Sequence, residues 1–461
     1  MSMRRRVAVS LAWSCLTMLV VQGCQRSSSA PPNVVIILLD TLRADHLGVY
    51  GDERGLTPFL DRLAARGALF VNAYATSSWT MPSVASLFTS RYPTQHHVNT
   101  LEAKLSLEET TLAESLAARG YRAAGFTNNF HVSEALGYSQ GFDHWQAFRP
   151  LEKGQAKMRG DVLRINSLRW LEGVEQATPP APVLLYYQYM EPHAPYEPPE
   201  PFRSRWALPH APGADATANR RFVEGELWGR TAEDIALLAS LYAGEVAALD
   251  EELHRLFTDL QSQGILDHAV VVITADHGEE FGERGALGHG FTLFNEQVRV
   301  PLIILAPGVK GRRIEQPVSL LDLAPTVLQL AGVEAPPRFE GRSLVPLMTG
   351  AAAAPVDVVA ELEPSGQTKD LRAHNAALMR DTLKLTRSTD LKIGAQLFDL
   401  AADPHERAPN PPALSDARQA MAEGLIGHAV TLKARGEQAP EQATLDEATR
   451  EKLRALGYHA E

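Results

Sequence analysis

Three unbroken apolar stretches limit the folds that this chain can adopt. Residues 34–39, 269–274 and 301–305 are rich in Val, Ile and Leu and lack the alternation of polar and apolar residues that half-exposed strands show. Such strands are buried on both faces, as in the parallel sheets of α/β proteins. Because helical patterns lie between them, we predict a doubly wound α/β fold.

The segments between these strands carry the apolar periodicity of amphipathic helices. The clearest helical patterns are residues 57–66, 112–119, 231–263 and 322–331. In the first of these, Thr57 is suited to cap the helix and Pro58 to occupy its first turn. Residues 209–229 show little periodicity, and we expect an insertion or a mobile lid there.

A run of alanines before Pro355 interrupts the pattern of long strands and helices. After it, residues 356–362, 376–386 and 396–399 have the composition of shorter strands, and a final helix follows. We therefore predict a larger α/β domain over residues 33–350. We also predict a smaller C-terminal α+β subdomain over residues 351–461.

The N-terminal residues resemble an export signal. Three arginines precede a mostly apolar stretch, residues 7–21, which is too short to span a bilayer comfortably. The pattern around Cys24 looks like a bacterial lipoprotein signal. It predicts a signal peptide over 1–23, a lipid-anchored tether over 24–32 and an exported protein held at a membrane through Cys24, in the periplasm or at the cell surface. An ordinary signal peptide or an uncleaved anchor is the alternative.

The charge of the chain argues against one class of partner. The 44 Lys and Arg residues face 55 Asp and Glu residues, which gives a net charge of −11, and no basic block occurs in the body of the chain. Nucleic-acid binding needs clustered Lys and Arg, so we do not expect it. The only cysteines, Cys15 and Cys24, lie in the N-terminal segment.

Two acids follow predicted strands directly. Asp40 comes after residues 34–39, and Asp276 comes after the stretch that ends at Thr274, with His277 next to it. Ligands of open α/β sheets bind at the carboxyl ends of the strands. Two carboxylates and an imidazole there are suited to one divalent metal ion, although either acid alone would be an ordinary turn or cap residue.

Several short segments resemble motifs of the sulfatase branch of the alkaline-phosphatase superfamily, and they occur in the same order. They are residues 33–45, 80–83, 191–196, 276–279, 288–290 and 319–326. The resemblance covers nearly the whole chain after the N-terminal segment. It implies an alkaline-phosphatase-like, doubly wound three-layer sandwich with a smaller C-terminal subdomain, and an activity on sulfuric or phosphoric esters.

The departures from that family pattern concern its catalytic residue. Sulfatases convert a Cys or Ser at the position of Thr80 into formylglycine, and Thr cannot undergo this conversion. Val84 replaces the usual Arg, and His277 replaces the usual Asn. The site resembles that of one-metal phosphonate monoester hydrolases, which implies that Asp40, Asp276 and His277 hold the metal. Thr80 would join them as a ligand and act as the nucleophile, forming a covalent ester.

Two histidines are candidates for the proton transfer to the leaving group. His193 lies in a proline-flanked loop and His289 lies between glycines. A loop histidine without a catalytic role is the alternative for both. Asn99 and Asn128 are further candidates for orienting substrate oxygens, and Arg43 with Asp45 is expected to form a structural ion pair.

Together these observations lead to a functional hypothesis with two alternatives. We expect an exported metal-dependent hydrolase of sulfate, phosphate or phosphonate esters, acting on a small molecule, glycan or lipid. The imidazole ligand favours Mn²⁺ or Zn²⁺, with Ca²⁺ or Mg²⁺ as alternatives. A phosphoglycerol- or phosphoethanolamine-type transferase is the first alternative. A non-catalytic surface lipoprotein is the second. It is supported by Val84 and by Thr41, which stands where the family pattern has the second acid of an Asp-Asp pair. The absence of formylglycine favours phosphorus over sulfur in the substrate.

Overall fold

A computed structural model of the chain describes residues 30–148, 159–174, 181–363, 375–388, 394–434 and 441–442. Its contacts divide the chain into a unit of residues Met1–Pro31 and a compact unit of residues Pro32–Glu461. The predicted signal peptide and Cys24 lie outside the described residues. All strands and helices discussed below belong to the second unit.

The strands within the described residues form one large sheet and three smaller ones. In chain order they are β1 Asn33–Leu39, β2 Ala68–Tyr74, β3 Ala103–Lys104, β4 Arg122–Thr127, β5 His144–Ala147, β6 Val183–Tyr189, β7 Ala269–Thr274, β8 Glu280–Phe281, β9 Leu287–Gly288, β10 Arg299–Leu305, β11 Arg312–Ile314, β12 Val318–Ser319, β13 Val358–Leu362, β14 Asn375–Arg380, β15 Leu383–Ser388, β16 Ala395–Asp399 and β17 Glu441–Gln442. The large sheet has the order β11-β2-β10-β7-β1-β6-β4-β5, with β12 also beside β2.

Helices cover this sheet. They are α1 Pro58–Ala64, α2 Thr80–Thr89, α3 Pro93–His96, α4 Leu112–Ala117, α5 Asp161–Val174, α6 Phe202–Trp206, α7 Ala214–Val223, α8 Ala232–Ser262, α9 Asn295–Val298, α10 Leu323–Leu330, α11 Val345–Thr349 and α12 Ser415–Ala434. In one group of helices, α1, α5, α6 and α7 pack against α8. In a second group, α2, α4 and α10 pack against one another. The predicted sandwich of helices and sheet is confirmed.

The predicted apolar strands lie at the centre of the sheet. The strand β1 pairs in parallel with β6 on one side and with β7 on the other. The strand β10 differs from the expected parallel arrangement, because it runs antiparallel to both β7 and β2. The chain between β7 and β10 contains a short hairpin and no long crossover helix, and parallel neighbours require such a crossover.

The C-terminal part forms its own antiparallel sheet in the order β13-β14-β15-β16, with α12 packed against it. A small apolar core lies between them and includes Leu385 and Met421. Lys384 on β15 is fully buried, and its Nζ lies 2.9 Å from Glu406 Oε1 and 2.9 Å from Asn295 Oδ1 on α9. The ion pair lies within the C-terminal part, and the hydrogen bond to Asn295 connects this part to the main body. The predicted domain boundary at residue 350 remains a prediction.

Residues 209–229 have more regular structure than we expected. Helix α7 occupies their centre, and Arg221 near its end pairs with Asp234 at the start of α8 at 2.8 Å. The helix is short and partly polar on its packed face, which explains the weak periodicity of its sequence. No helix in the described part of the chain is both long and apolar enough to cross a bilayer.

Candidate active site

The strand order brings the two predicted acids to one edge of the sheet. Asp40 follows β1 and Asp276 follows β7, and these strands are parallel neighbours with Leu38 opposite Thr274. Both carboxylates are completely buried. The site therefore lies at the carboxyl ends of the central strands, as expected for an open α/β sheet.

Asp40, Asp276 and His277 form a group whose ligand atoms all lie within 4.8 Å of one another. His277 Nε2 is 3.8 Å from Asp40 Oδ1 and 3.5 Å from Asp276 Oδ2. These two carboxylate oxygens are buried and accept no hydrogen bond from the residues that the structure describes. Two orphaned carboxylate oxygens and one ring nitrogen around a common point fit the donor set of a divalent metal ion.

Neighbouring groups hold the remaining atoms of these side chains. Asn129 Nδ2 donates a hydrogen bond of 2.5 Å to Asp40 Oδ2, and Gln188 Nε2 lies 3.4 Å from the same oxygen. The backbone N–H of His277 donates to Asp276 Oδ1 at 3.0 Å. His277 Nδ1 lies 2.9 Å from the carbonyl of Gly278, which only accepts, so Nδ1 carries the proton and Nε2 keeps its lone pair.

The electrostatics of the three groups favour a bound cation. Burial raises the pKa of Asp40 well above its ordinary value, and the neighbouring charge of Asp276 raises it further. Burial also raises the pKa of Asp276 and lowers the pKa of His277 to about 4. Since two buried carboxylates beside a neutral imidazole lack a compensating charge, a divalent cation fits this site better than a proton does.

Thr80 is the first residue of α2, and its side chain points into this group. Its Oγ1 lies 3.2 Å from His277 Nε2, and the residue is only 1% exposed. Because Nε2 has a lone pair, the hydroxyl donates in this arrangement. The N–H groups at the start of a helix favour an anion at the same place. Ser83, one turn later, donates to the carbonyl of Asp276 at 2.6 Å and fixes α2 against the acid.

The structure brings His193 and His289 to the same site. Their ring centroids are 5.1 Å apart, and the His289 ring is 4.3 Å from that of His277. His193 Nδ1 donates to the carbonyl of Ala194 at 2.6 Å, and His289 Nδ1 lies 2.8 Å from Glu279 Oε1. Burial lowers the pKa of both imidazoles to about 3. Both rings are therefore neutral at pH 7 before an anionic ligand binds.

Sequence reasoning missed several residues of the site. Asn129, adjacent to the suggested Asn128, is the residue that contacts Asp40, while Asn128 Oδ1 accepts a hydrogen bond from the N–H of Met190. Asn99 donates to Pro93 and Glu363, away from the acids. The position of Asn129 just after β4 was the available signal, since β4 ends at the same edge of the sheet.

A second hydroxyl–histidine pair on α2 is structural. Ser86 Oγ lies 3.0 Å from His96 Nε2, and His96 Nδ1 accepts a hydrogen bond from the N–H of Val98 at 3.1 Å. The accepting Nδ1 has no proton, so Nε2 donates to the serine and cannot act as its base. The expected ion pair of Arg43 and Asp45 is present at 2.7 Å.

The class of the chain is defined by its fold, an α/β sheet covered by helices, with buried acids at the carboxyl edge of that sheet. The model of the Sulfatase family matches residues 32–333, and that of the N-sulphoglucosamine sulphohydrolase C-terminal region matches residues 282–423. The chain belongs to the sulfatase family.

Individual relatives agree with this assignment. An ulvan-active sulfatase from Formosa agariphila is 27% identical over 351 residues, which cover 70% of this chain and 66% of the relative. The solved structure of another protein, in complex with its substrate D-glucosamine-2-N,6-O-disulfate, matches this chain with a TM-score of 0.72 and 20% identity. The match covers 88% of this chain and 98% of the other protein. The structure of a phosphonate monoester hydrolase from Silicibacter pomeroyi matches with a TM-score of 0.71 and 22% identity. The match covers 87% of this chain and 95% of that hydrolase.

Proposed function

We propose that this chain hydrolyses sulfate esters of sugars with one divalent metal ion and with Thr80 as the nucleophile. The observation that carries the proposal is the position of Thr80 Oγ1, 3.2 Å from His277 Nε2, where the orphaned oxygens of Asp40 and Asp276 also point. A hydroxyl needs such activation, because an isolated Thr is a poor nucleophile near pH 7.

Asp40, Asp276 and His277 would hold the metal ion, and Thr80 would lie beside it. When bound, a divalent cation lowers the pKa of a neighbouring hydroxyl and neutralises negative charge on the ester oxygens. The combination of two carboxylates with one imidazole favours Mn²⁺ or Zn²⁺, with Ca²⁺ or Mg²⁺ as alternatives.

In the proposed reaction, Thr80 Oγ1 forms a bond to sulfur while the bond from sulfur to the sugar oxygen breaks. The Thr80 hydroxyl releases its proton to solvent, and the sugar oxygen leaves with a proton from His193 or His289. Water then attacks the sulfur and breaks its bond to the Thr80 oxygen. One proton of the water passes to that oxygen and the other to the histidine, so sulfate is released and both groups are restored. The start of α2 contributes N–H groups toward the anionic sulfuryl oxygens. The negative charge of the ester favours protonation of the neighbouring imidazoles, so the acid forms when the substrate binds.

The substrate class rests on the relatives. One is described as acting on ulvan, and another was solved with a sulfated glucosamine as its substrate. A phosphonate or phosphate ester is the second candidate, because Thr80 and His277 resemble the one-metal phosphonate monoester hydrolases and one such enzyme has the same fold. The comparisons thus favour sulfur more than the sequence did.

The test is a panel of sulfated sugars, an aryl sulfate, phosphate mono- and diesters and phosphonates, measured with the wild type and with Thr80→Ala. We expect turnover of the sulfate esters and a loss of at least about a thousandfold in kcat for the variant. Thr89→Ala is the matched control, since Thr89 is buried in the same helix but donates to Ala85 away from the site.

Each outcome of this panel discriminates between the candidates. Full activity of Thr80→Ala would exclude Thr80 as the nucleophile. Turnover of phosphonates alone would replace the sulfate assignment, and a product in which the group is transferred to an added alcohol would indicate the transferase. A protein that stays metal-free in added Mn²⁺, Zn²⁺ or Ca²⁺ and turns over no ester would be the non-catalytic lipoprotein.

We further propose that the protein is exported and anchored by a lipid on Cys24. The support is the charged and apolar N-terminal pattern followed by Cys24 and a polar tether. A protein at that location would meet glycans outside the cytoplasm, which agrees with the proposed substrate class.

A further inference from the structure

Residues 202–230, here called the cover segment, are attached to both loops that carry the catalytic histidine candidates. On one side, Asn219 makes two hydrogen bonds with the backbone of Tyr196, one from the N–H of Tyr196 at 2.7 Å and one to its carbonyl at 2.9 Å. Tyr196 lies three residues after His193 in the same loop. The helix α7 is therefore fixed to the His193 loop.

On its other side, the cover segment is attached to the hairpin of β8 and β9, which leads into His289. The N–H of Leu287 donates to the carbonyl of Leu227 at 2.9 Å, and Trp228 forms an antiparallel bridge with Ala286. The attachment at Leu287 lies two residues before His289. The cover segment thus connects the His193 loop to the hairpin that leads into His289.

Trp228 is the one aromatic residue among the large apolar side chains that the described residues leave exposed, and it is 57% exposed. Its ring centroid is 6.2 Å from that of Phe291, which follows His289 by two residues. A large flat apolar surface exposed beside a catalytic site is typical of a ligand contact, since an indole combines an apolar face with a polar edge.

The charge of the cover segment is opposite to that of the chain. The segment contains five arginines, at positions 203, 205, 220, 221 and 230, against three acids, whereas the whole chain has a net charge of −11. Arg203 and Arg221 pair with acids, and the side chain of Arg230 is 1% exposed. Arg205 and Arg220 are exposed, and their charge attracts anionic ligands.

We propose that Trp228 is a stacking platform for the sugar ring of a sulfated substrate, and that the exposed Arg205 and Arg220 of the cover segment attract its additional sulfate groups. The inference rests on the proposed function, because it concerns the substrate of the same site. The apolar face of a pyranose ring packs on the indole face while its sulfate ester reaches Thr80. Trp228 is therefore a residue that determines specificity and takes no part in bond breaking.

The experiment compares the wild type with Trp228→Ala, Trp228→Phe and the control Leu208→Ala. Leu208 is also exposed on the cover segment, but its backbone is held by Ser240 of α8, away from both histidine loops. Each protein is titrated calorimetrically with D-glucosamine-2-N,6-O-disulfate and related sulfated monosaccharides. Each is also assayed for kcat and KM on the same sugars and on 4-nitrophenyl sulfate.

We expect Trp228→Ala to weaken sugar binding and to raise KM for the sugars about tenfold, with little change in kcat. Trp228→Phe should retain most of the wild-type affinity for the sugars. Leu208→Ala should match the wild type. The selectivity for the sugars over 4-nitrophenyl sulfate falls accordingly. Equal losses on both substrates, a loss confined to the aryl ester, or a wild type that binds none of the sugars would each overturn the inference. The calorimetric readout does not need turnover. A wild type that binds the sugars through Trp228 and hydrolyses no ester would therefore refute the proposed function alone.

Discussion

At Asp40 and Asp276, two buried carboxylates lie side by side, each with one oxygen that accepts no hydrogen bond from the described residues. Their proximity to the neutral His277 ring leaves the site with excess negative charge, and burial raises the pKa of both acids. Without a cation, these residues destabilise the folded state. The residues proposed to bind the metal therefore lower the stability of the metal-free fold.

The first prediction concerns the stability of this site with and without metal. In metal-free buffer we expect Asp276→Asn to be at least as stable as the wild type, because the substitution removes one of two adjacent buried charges. A hundredfold excess of Mn²⁺ over its Kd should stabilise the wild type by about 2.7 kcal/mol. The same Mn²⁺ concentration should raise the free energy of unfolding of Asp276→Asn by much less. Differential scanning calorimetry with and without a chelator measures both effects.

The control for this prediction is Asp322→Asn, which changes another buried acid far along the chain. Asp322 accepts hydrogen bonds from the N–H groups of Ser319 and Arg342 and has no contact with the metal group. This variant should keep the full rise in Tm on adding Mn²⁺. An equal rise in wild type and Asp276→Asn would contradict the assignment of Asp276 as a ligand.

Individual residues of the site were predictable only where their position in the sequence, directly after an apolar strand, indicates their place in the fold. Asp40 and Asp276 each follow an apolar strand, so their shared edge could be derived from sequence. Gln188 could not, because it lies inside β6 and reaches Asp40 only through the pairing of β1 with β6. Glu279, the partner of His289, directly precedes the β8–β9 hairpin, whose geometry the sequence pattern does not specify.

At the scale of elements, helix α1 shows how a distant residue can replace a local cap. Thr57 was expected to cap it, but its side chain makes no capping hydrogen bond. Asp250 of α8 instead accepts hydrogen bonds of 2.9 Å from the N–H groups of both Phe59 and Leu60. The first turn of α1 is therefore satisfied by a residue on another helix.

The second prediction follows from the titration of Asp250. Burial raises its pKa to about 6, although the two N–H groups oppose the shift. The folded state thus prefers the protonated acid. This contribution to stability is complete below about pH 4 and is lost as the pH rises through about 6. Between these values, the wild type should lose up to about 3 kcal/mol relative to Asp250→Asn.

Denaturant unfolding at several pH values between 4 and 7 measures this difference. Glu251→Gln is the control, because the Glu251 side chain is 45% exposed on the same helix and pairs only with Arg255 at the surface. Its stability relative to the wild type should stay nearly constant over the same range. If the difference between the wild type and Asp250→Asn does not change with pH, then Asp250 does not titrate in this range.

The positions of the main strands and helices were largely predictable from the sequence. The directions in which the strands run within the sheet were less predictable. The apolar runs gave β1, β7 and β10, and the long periodic stretch gave α8, because burial on both faces and helical spacing leave clear patterns. The antiparallel direction of β10 was missed, since a run of apolar residues does not encode which way a strand enters the sheet. Helix α7 was missed because its polar faces weaken the periodicity.

At the scale of the whole molecule, the proposed lipid on Cys24 would keep the catalytic unit close to a membrane. The predicted tether of residues 24–32 is nine residues long and spans at most about 30 Å when fully extended. Because β1 begins at Asn33, directly after the tether, the anchor and the strand that carries Asp40 are adjacent in sequence. The enzyme would therefore act on glycans near that surface.

The third prediction tests this anchor by expression in a bacterial host. The wild type should sediment with the membranes, and its mature N-terminus should be Cys24 with an attached lipid by mass spectrometry. Cys24→Ala should lose the lipid and the association with membranes, since the anchoring depends on the acyl chains. Cys15→Ala is the matched control and should stay anchored, because Cys15 lies in the part that is predicted to be removed. Membrane association that persists in Cys24→Ala would exclude lipidation.

The rigid position of Thr80 has a consequence for protein engineering. Helix α2 has ten residues, all buried, so the proposed nucleophile cannot be repositioned without rebuilding the core. The cover segment, by contrast, joins the two histidine loops through hydrogen bonds to Tyr196 and Leu287, while its helices α6 and α7 pack on α8. Exchange of residues 202–230 between relatives should therefore transfer substrate preference as a module, while the machinery for breaking the ester bond is inherited unchanged.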